Sequence, residues 1–216
     1  MVKIALIGGH GKVALLAAPE LVERGHQVTS FFRNPEHTED VRATGADAVV
    51  LDVEHADTAE IAEALRGHDA VVWSAGAGGG SPERTYAVDR DAAIRSMDAA
   101  EQAGAKRYVM VSFATADEKY LVPEDDSFYP YMASKIAADD YLRGSGLDWT
   151  VLGPGKLTLD EPTGRIHPDP DPEQGTDTSR ANVALTIVEA LESAGSIGRT
   201  INYRDGETPI AEVMAG

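Results

Sequence analysis

The sequence predicts a doubly wound α/β protein on a parallel sheet, folded as a single domain over residues 1–216. Three observations predict it. An apolar run at the N-terminus stops at glycines and passes directly into a helical stretch. Apolar runs of strand length then alternate with helical segments along the rest of the chain. Several of those runs end in glycine or serine, where a chain can lie against a ligand in the crevice of an open sheet. With 216 residues, 43% hydrophobic and 25% charged, the chain is long enough to bury one full core.

The first strand is Ile4–Ile7, and the turn after it reads Gly8-Gly9-His10-Gly11-Lys12-Val13-Ala14. Glycine suits such a turn because a positive φ is tolerated and no Cβ keeps a diphosphate from the backbone. The free amides and positive dipole end of the following helix then face the anion. That helix spans Lys12–Arg24, closes at Gly25 and has Pro19 as a kink or irregular turn. Gln27–Phe32 alternates as a second strand and ends at Arg33-Asn34-Pro35. An acidic residue at this position would hold ribose hydroxyls, whereas an arginine accommodates a 2′-phosphate. Arg33, with no acid beside it, therefore favours NADP (NADPH) over NAD.

Pro35–Thr44 is expected to be a short helix and Ala48–Leu51 a third strand ending at Asp52-Val53. Asp57 or Thr58 caps a helix over Ala59–Arg66, closed by Gly67. Asp69–Trp73 is a fourth strand, followed by the glycine cluster of Ala75 to Gly80, including Gly76 and Ala77. Arg84–Ala103 makes a long helix, Arg107–Val111 a fifth strand, and Ser112 stands at its carboxyl end. Phe113–Phe128 is acidic and irregular, a mobile loop. Tyr129–Leu142 is a helix closed near Gly144, and Trp149–Leu152 a sixth strand ending in Gly153-Pro154-Gly155. Residues 160–177, rich in proline and aspartate, do not read as a core element: they are either a lid or an excursion without function. Ser179 caps a helix over Ala181–Ser193, Thr200–Tyr203 is the last strand, and Thr208-Pro209-Ile210 opens a short terminal turn. Residues 153–216 are expected to form most of a small substrate-side lobe.

A formal charge of −17 repels phosphate backbones and anionic lipid, so neither nucleic acid nor membrane is an expected partner. A small-molecule substrate is expected. The absence of cysteine removes disulfides and thiol chemistry, and six scattered histidines show no paired ligand spacing, so no metal site is expected. The N-terminus runs straight into the first strand and no apolar run suffices to span a bilayer, so a cytoplasmic protein is the expectation.

Tyr131 and Lys135 stand one helical turn apart on one face. A lysine beside a tyrosine favours the phenolate and lowers its pKa, as a proton relay requires. Ser112, on a neighbouring strand end, is the candidate to hold the same substrate oxygen.

Gly8-x-x-Gly11-x-x-Ala14, Arg33, Asp52-Val53, Ala75–Gly80, Ser112, Tyr131-x-x-x-Lys135 and Gly153-Pro154-Gly155 occur in one order. In that order the chain resembles the short-chain dehydrogenase/reductase superfamily, whose fold is the Rossmann fold. Its shortness and the ending Gly206–Glu212 resemble the atypical branch of compact NAD(P)H-binding proteins. That branch includes relatives of NmrA-like regulators and of flavin and biliverdin reductases, often described as sugar epimerases. The resemblance implies Tyr131 as acid/base, Lys135 orienting the nicotinamide ribose and Ser112 holding the substrate oxygen. It implies that Gly8, Gly9, His10, Gly11, Lys12, Val13, Arg33, Lys135, Pro154 and Gly155 bind the cofactor. Asp52 and Val53 would border the adenine, and Ala75, Gly76 and Ala77 would pass along the cofactor. Asp89 replaces the superfamily's helix asparagine, Gly153 stands where many relatives have arginine, and Ala14 replaces the third glycine.

Three functions follow from this reading. The first is an NADPH-dependent reductase of a small carbonyl, quinone or flavin-like acceptor. The second is an epimerase or dehydratase that retains its cofactor. The third is an NADP-binding redox sensor without turnover, which Asp89 favours. A homodimer is compatible with all three.

Overall fold

The computed structural model describes residues 1–79, 81–168 and 177–216. The first half of the chain is built of βα units: β1 (Lys3–Ile7), α1 (Ala14–Glu23), β2 (Gln27–Phe32), α2 (Thr38–Arg42), β3 (Asp47–Val50), α3 (Thr58–Leu65) and β4 (Ala70–Trp73). A composite helix follows: α4 (Pro82–Thr85), a π-helical segment (Tyr86–Ala92) and α5 (Ala93–Ala103). Then come β5 (Arg107–Val111), α6 (Tyr129–Arg143), β6 (Asp148–Pro154), β7 (Lys156–Thr158), β8 (Arg165–Pro168), β9 (Asp177–Ser179), α7 (Arg180–Glu192), β10 (Arg199–Asp205), β11 (Thr208–Pro209) and α8 (Ile210–Ala215).

The main sheet runs β11-β8-β10-β6-β5-β4-β1-β2-β3. From β10 through β3 every neighbouring pair is parallel. The central strands β1, β4 and β5 are apolar on both sides, and successive residues feed opposite cores. Ile4, Leu6, Val72, Val109 and Leu152 face one core with α1, α7 and α8; Ala5, Ile7, Val71, Trp73, Met110 and Val151 face the other with α3, α5 and α6. Each core buries one tyrosine whose hydroxyl meets a hydroxyl on a covering helix, Tyr108 to Ser96 and Tyr203 to Thr186, both at 2.7 Å. From β1 the winding proceeds one way to β2 and β3 and the other way to β4, β5 and β6. That reversal opens a crevice beyond the carboxyl ends of β1 and β4. No helix among the described residues is long and apolar enough to cross a membrane.

Several boundaries differ from the sequence reading. The first helix begins at Ala14, and Pro19 lies within a continuous α-helix. The long helix begins at Pro82 under a Ser81 cap and passes through the π segment before α5. The sheet is parallel except at one edge, where β8 runs antiparallel to β10 and β11 antiparallel to β8. Residues 160–177 were not expected to supply a core element, yet β8 lies in the main sheet with Ile166 fully buried. Proline and aspartate masked that short strand, whose single buried apolar residue leaves no periodicity to read. Asp169–Pro172, the centre of the expected lid or excursion, lies outside the described residues. The last strand is longer than Thr200–Tyr203 and is followed by β11. Residues 153–216 contribute β10, α7 and α8 to the same sheet and core as the N-terminal strands.

Arg107 fastens the end of α7 to the sheet. Its guanidinium donates to the carbonyls of Asp148 and Ala190 at 2.7 Å and to the hydroxyls of Thr150 and Ser196 at 2.8 and 2.9 Å. Burial pushes its pKa down to about 10, so it stays a cation at neutral pH. Arg107→Met should cost about 3 kcal/mol, because several buried acceptors lose their donor. Chemical denaturation measures this, and a loss below about 1 kcal/mol would show the fastening to be dispensable.

Candidate functional site

The turn after β1 divides its labour between shape and binding. Gly8 has φ +88°, and a Cβ there would stand 2.6 Å from the Ala75 amide nitrogen. A Cβ at Gly9 would stand 2.6 Å from the Cβ of Ser30. The amides of Gly8 and Gly9 donate to the Phe31 carbonyl at 3.0 and 2.8 Å, and that of Gly11 to the Gly8 carbonyl at 2.7 Å. These glycine amides are therefore not bare. The amides of Lys12 and Val13, leading into α1, have no partner among the described residues and remain free for an anion.

Two cavities adjoin this turn and share Gly11 and the stretch Ser74–Gly78 as a common wall. The first, of 480 Å³, is bounded by Gly8, His10, Arg33, Asp52, Val53 and Ala75–Gly78. Arg33 does have an acid nearby: its guanidinium pairs with Glu54 at 3.1 Å. Chain folding brings Glu54 over from the end of β3, which no local pattern announces. Glu54 also pairs with Arg84 at 3.1 Å, so one carboxylate faces two cations. The Arg33 side chain stays 54% exposed on the cavity wall, open to a further anion. His10 bonds Asp40 at 3.1 Å and lies against the His37 ring, centroids 3.6 Å apart. Asp52 accepts from the Glu54 amide and pairs with His55.

The second cavity, of 790 Å³, brings Lys12, Val13, Asp89, Ser112, Tyr131 and Lys135 together. Among the described residues the fully buried charged side chains are Asp89, Lys135 and Asp139, and all three belong to this cluster. Asp89 is 2% exposed and accepts the Ala77 amide at 3.0 Å, so it is no surface carboxylate. Its other oxygen occupies the space beside Gly76, where a Cβ would be 3.0 Å away. Burial raises its pKa, opposed by Lys135 and the Ala77 hydrogen bond. The π segment carrying Asp89 is a helical irregularity of the kind often found at functional sites.

Lys135 donates to the Val111 carbonyl at 2.8 Å, and burial lowers its pKa against the pull of Asp139 and Asp89. Tyr131 packs against Phe113 and Phe128, each ring centroid 5.2 Å away, which draws together the two ends of the segment read as an irregular loop. The expected lowering of the Tyr131 pKa is reversed: burial, then Asp89 and Asp139, push it up. Two carboxylates share the neighbourhood with one ammonium, and they disfavour a phenolate more than the ammonium favours it. Ser112, 5% exposed, donates its hydroxyl to Asp139 at 2.5 Å.

The structure thus gathers Gly8, His10, Gly11, Lys12, Val13, Ala75 to Ala77, Asp52, Val53, Arg33, Ser112, Tyr131 and Lys135 around one crevice, whereas Gly9 lines neither cavity and packs against Ser30. Pro154 and Gly155 stand apart from both cavities. Pro154 is buried within β6, its carbonyl taken by the Ala114 amide, and the Gly155 amide donates to Tyr203 and Thr178. Asp139 and Arg180 were missed. Asp139 stands one further helical turn beyond Lys135, so extending the Tyr131–Lys135 spacing by four would have found it. Arg180 lines the second cavity and donates to the Leu157 and Thr158 carbonyls; nothing local in the sequence marks it.

The free amides at Lys12 and Val13, with open cavities on either side, fit a dinucleotide whose anionic centre sits at the turn. Comparison with known proteins agrees with that fit. A family model described as NAD(P)H-binding matches residues 8–194. The chain is 34% identical over 214 residues to the uncharacterized sugar epimerase YhfK of Bacillus subtilis, covering 98% of both chains. A solved Bacillus halodurans structure, provisionally described as an NAD-dependent epimerase/dehydratase, superposes with a TM-score of 0.91 at 33% identity and covers 99% of each chain. The oxidoreductase ylbE of Lactococcus lactis superposes with a TM-score of 0.86 at 30% identity, over 98% of this chain and 94% of its own.

Burial pushes the Asp139 carboxyl from an ordinary 3.8 up to about 6. Between those values the native chain holds a proton that the unfolded chain has lost, so stability falls as pH rises from about 4 to 6 and levels off above. Relative to Asp139→Asn, the wild type should therefore gain on the order of 3 kcal/mol on going from pH 7.5 to pH 4. Denaturation of both proteins at the two pH values reads this, and an unchanged difference would remove Asp139 as the titrating group.

Proposed function

Since this chain belongs to the NAD(P)H-binding family, we propose that it is an NADPH-dependent oxidoreductase. Its substrate would be a small carbonyl, quinone or flavin-like acceptor, and its chemistry that of the short-chain dehydrogenase/reductase superfamily. The observation that carries the reading is the meeting of Tyr131, Lys135 and Ser112 in the 790 Å³ cavity, which shares a wall with the free amides of the glycine turn. NADPH, when bound, supplies a hydride.

The amides of Lys12 and Val13 hold the diphosphate, with Gly8, Gly9 and Gly11 shaping the turn around it. Ala75, Gly76 and Ala77 form the wall along which the cofactor lies, and Asp89 fixes that wall through the Ala77 amide. Arg33 offers its open face to the 2′-phosphate, Glu54 holding the guanidinium in place from the other side. Tyr131, with its pKa raised, keeps its phenolic proton at neutral pH and so serves as the acid toward a substrate oxygen. Lys135 is held by the Val111 carbonyl between two buried carboxylates, and its charge tempers theirs. The aromatic faces of Phe128 and Tyr131 exclude water from that oxygen.

A second reading, an epimerase or dehydratase with a retained cofactor, is favoured by the names carried by the Bacillus subtilis and Bacillus halodurans relatives. The two separate on net consumption of NADPH, which only the reductase shows.

Tyr131→Phe should lower NADPH turnover with a quinone, flavin or aldehyde panel by about 10²- to 10³-fold while leaving NADPH binding unchanged. Unchanged turnover would clear Tyr131 of the acid's role. Arg33→Ala should weaken NADPH binding by about tenfold or more and NADH binding little, as loss of a charge-assisted hydrogen bond requires. Equal losses for the two nucleotides would show that Arg33 does not meet the 2′-phosphate.

A further inference from the structure

We infer that Asp139 is a positioning residue: it turns the Ser112 hydroxyl inward and leaves Ser112 facing the second cavity as a hydrogen-bond acceptor, so that the site distinguishes an alcohol from a carbonyl at the reacting carbon. The inference rests on the proposed function only in taking the second cavity as the substrate site.

A serine hydroxyl has one proton to donate, and that of Ser112 is committed to Asp139 at 2.5 Å. Toward the cavity Ser112 therefore presents lone pairs. Tyr131, kept protonated by its surroundings, presents a donor. One donor and one acceptor match an alcohol oxygen, which accepts from the phenol and donates to Ser112. A carbonyl oxygen only accepts, so it gains the phenol and meets the Ser112 lone pairs unpaired. Once Asp139 carries a proton the roles reverse. Asp139 then donates to Ser112, the Ser112 proton swings to the cavity, and two donors converge on a carbonyl oxygen.

Asp139 is unlike an ordinary structural partner for a serine. It is fully buried, and its second oxygen has no hydrogen-bond partner among the described residues. A neutral group would hold Ser112 without the cost of burying a charge. The charges acting on Asp139 come from its own helix: Lys135 and Arg143 favour the carboxylate and Asp140 opposes it. The π segment adds Asp89, which acts on Lys135. From α5 come Asp98 and Glu101, committed to the Tyr141 hydroxyl and the Gly146 amide.

The test starts from the full chain carrying ¹³C-labelled aspartate. The Asp139 carboxyl resonance should titrate near pH 6, and Ser112→Ala should move the midpoint upward by removing the bond that favours the carboxylate. Benzyl alcohol and benzaldehyde, matched probes for a cavity walled by Phe128 and Tyr131, are then titrated by NMR at pH 5 and pH 8, with and without NADP. At pH 8 the wild type should prefer the alcohol by about tenfold, the worth of one hydrogen bond against an unpaired one. At pH 5 that preference should vanish or reverse. Asp139→Asn, whose amide does not titrate, should show one and the same preference at both pH values.

A preference independent of pH, an Asp139→Asn protein that follows the wild type, or binding of neither probe overturns the inference. An Asp139 resonance that Ser112→Ala leaves unmoved does so without any folding variant of Asp139. The arms without NADP read the Ser112–Asp139 pair directly, so a failure of nucleotide binding counts against the proposed oxidoreductase alone.

Discussion

A parallel sheet whose central strands β1 and β4 are apolar on both sides can exist only if helices cover both faces, and that constraint creates the site. Helices α1, α7 and α8 cover one face and α3, α5 and α6 the other, while the strand order runs from β1 one way to β2 and β3 and the other way to β4, β5 and β6. Where the direction changes, no connection closes over the carboxyl ends of β1 and β4, and a crevice remains. The residues with chemistry to offer, on the turn after β1, the loop after β4, the end of β5 and one face of α6, all face this opening. The crevice is a by-product of covering a sheet, and the chain has placed its polar chemistry there.

The electrostatics divide along the same line. The surface is strongly acidic, with a formal charge of −17, while among the described residues the fully buried charged side chains cluster at the crevice. There Asp89, Lys135 and Asp139 lie buried together, and each shifts in pKa chiefly because it has left water. Fully buried charges are costly unless matched, and the matching here is incomplete: two carboxylates face one ammonium, and one carboxylate oxygen lacks a hydrogen-bond partner among the described residues. Such a cluster is poor structural economy and suits a place where protons are held and moved.

The legible part of the molecule was whatever repeats locally. The βα rhythm, the glycine turn, the Asp57 and Ser179 helix caps and the Tyr131–Lys135 spacing each express a contact within a few residues, and they appear where expected. Strand β8 escaped notice because its partner β10 lies more than thirty residues away and its own four residues carry no pattern. The π segment escaped because its seven residues are too few to set a period apart from that of the flanking helix. Pro154 and Gly155, cofactor ligands by the family resemblance, line neither cavity: Pro154 ends β6 and the Gly155 amide donates to Tyr203 and Thr178.

The sequence by itself determined the fold class, the turn at Gly8–Ala14 and the face of α6 that carries Tyr131 and Lys135, because neighbours along the chain suffice to specify backbone shape and periodicity. Only the tertiary structure decided how those groups are charged and which way their protons point. Glu54 reaches Arg33, Asp89 reaches Ala77 and Asp139 reaches Ser112 across distances in sequence that no pattern spans. Burial, which sets the pKa of Tyr131, Lys135 and Asp139, is a property of the packed whole. Local geometry is written in short stretches of chain, whereas solvation and charge depend on everything folded around them.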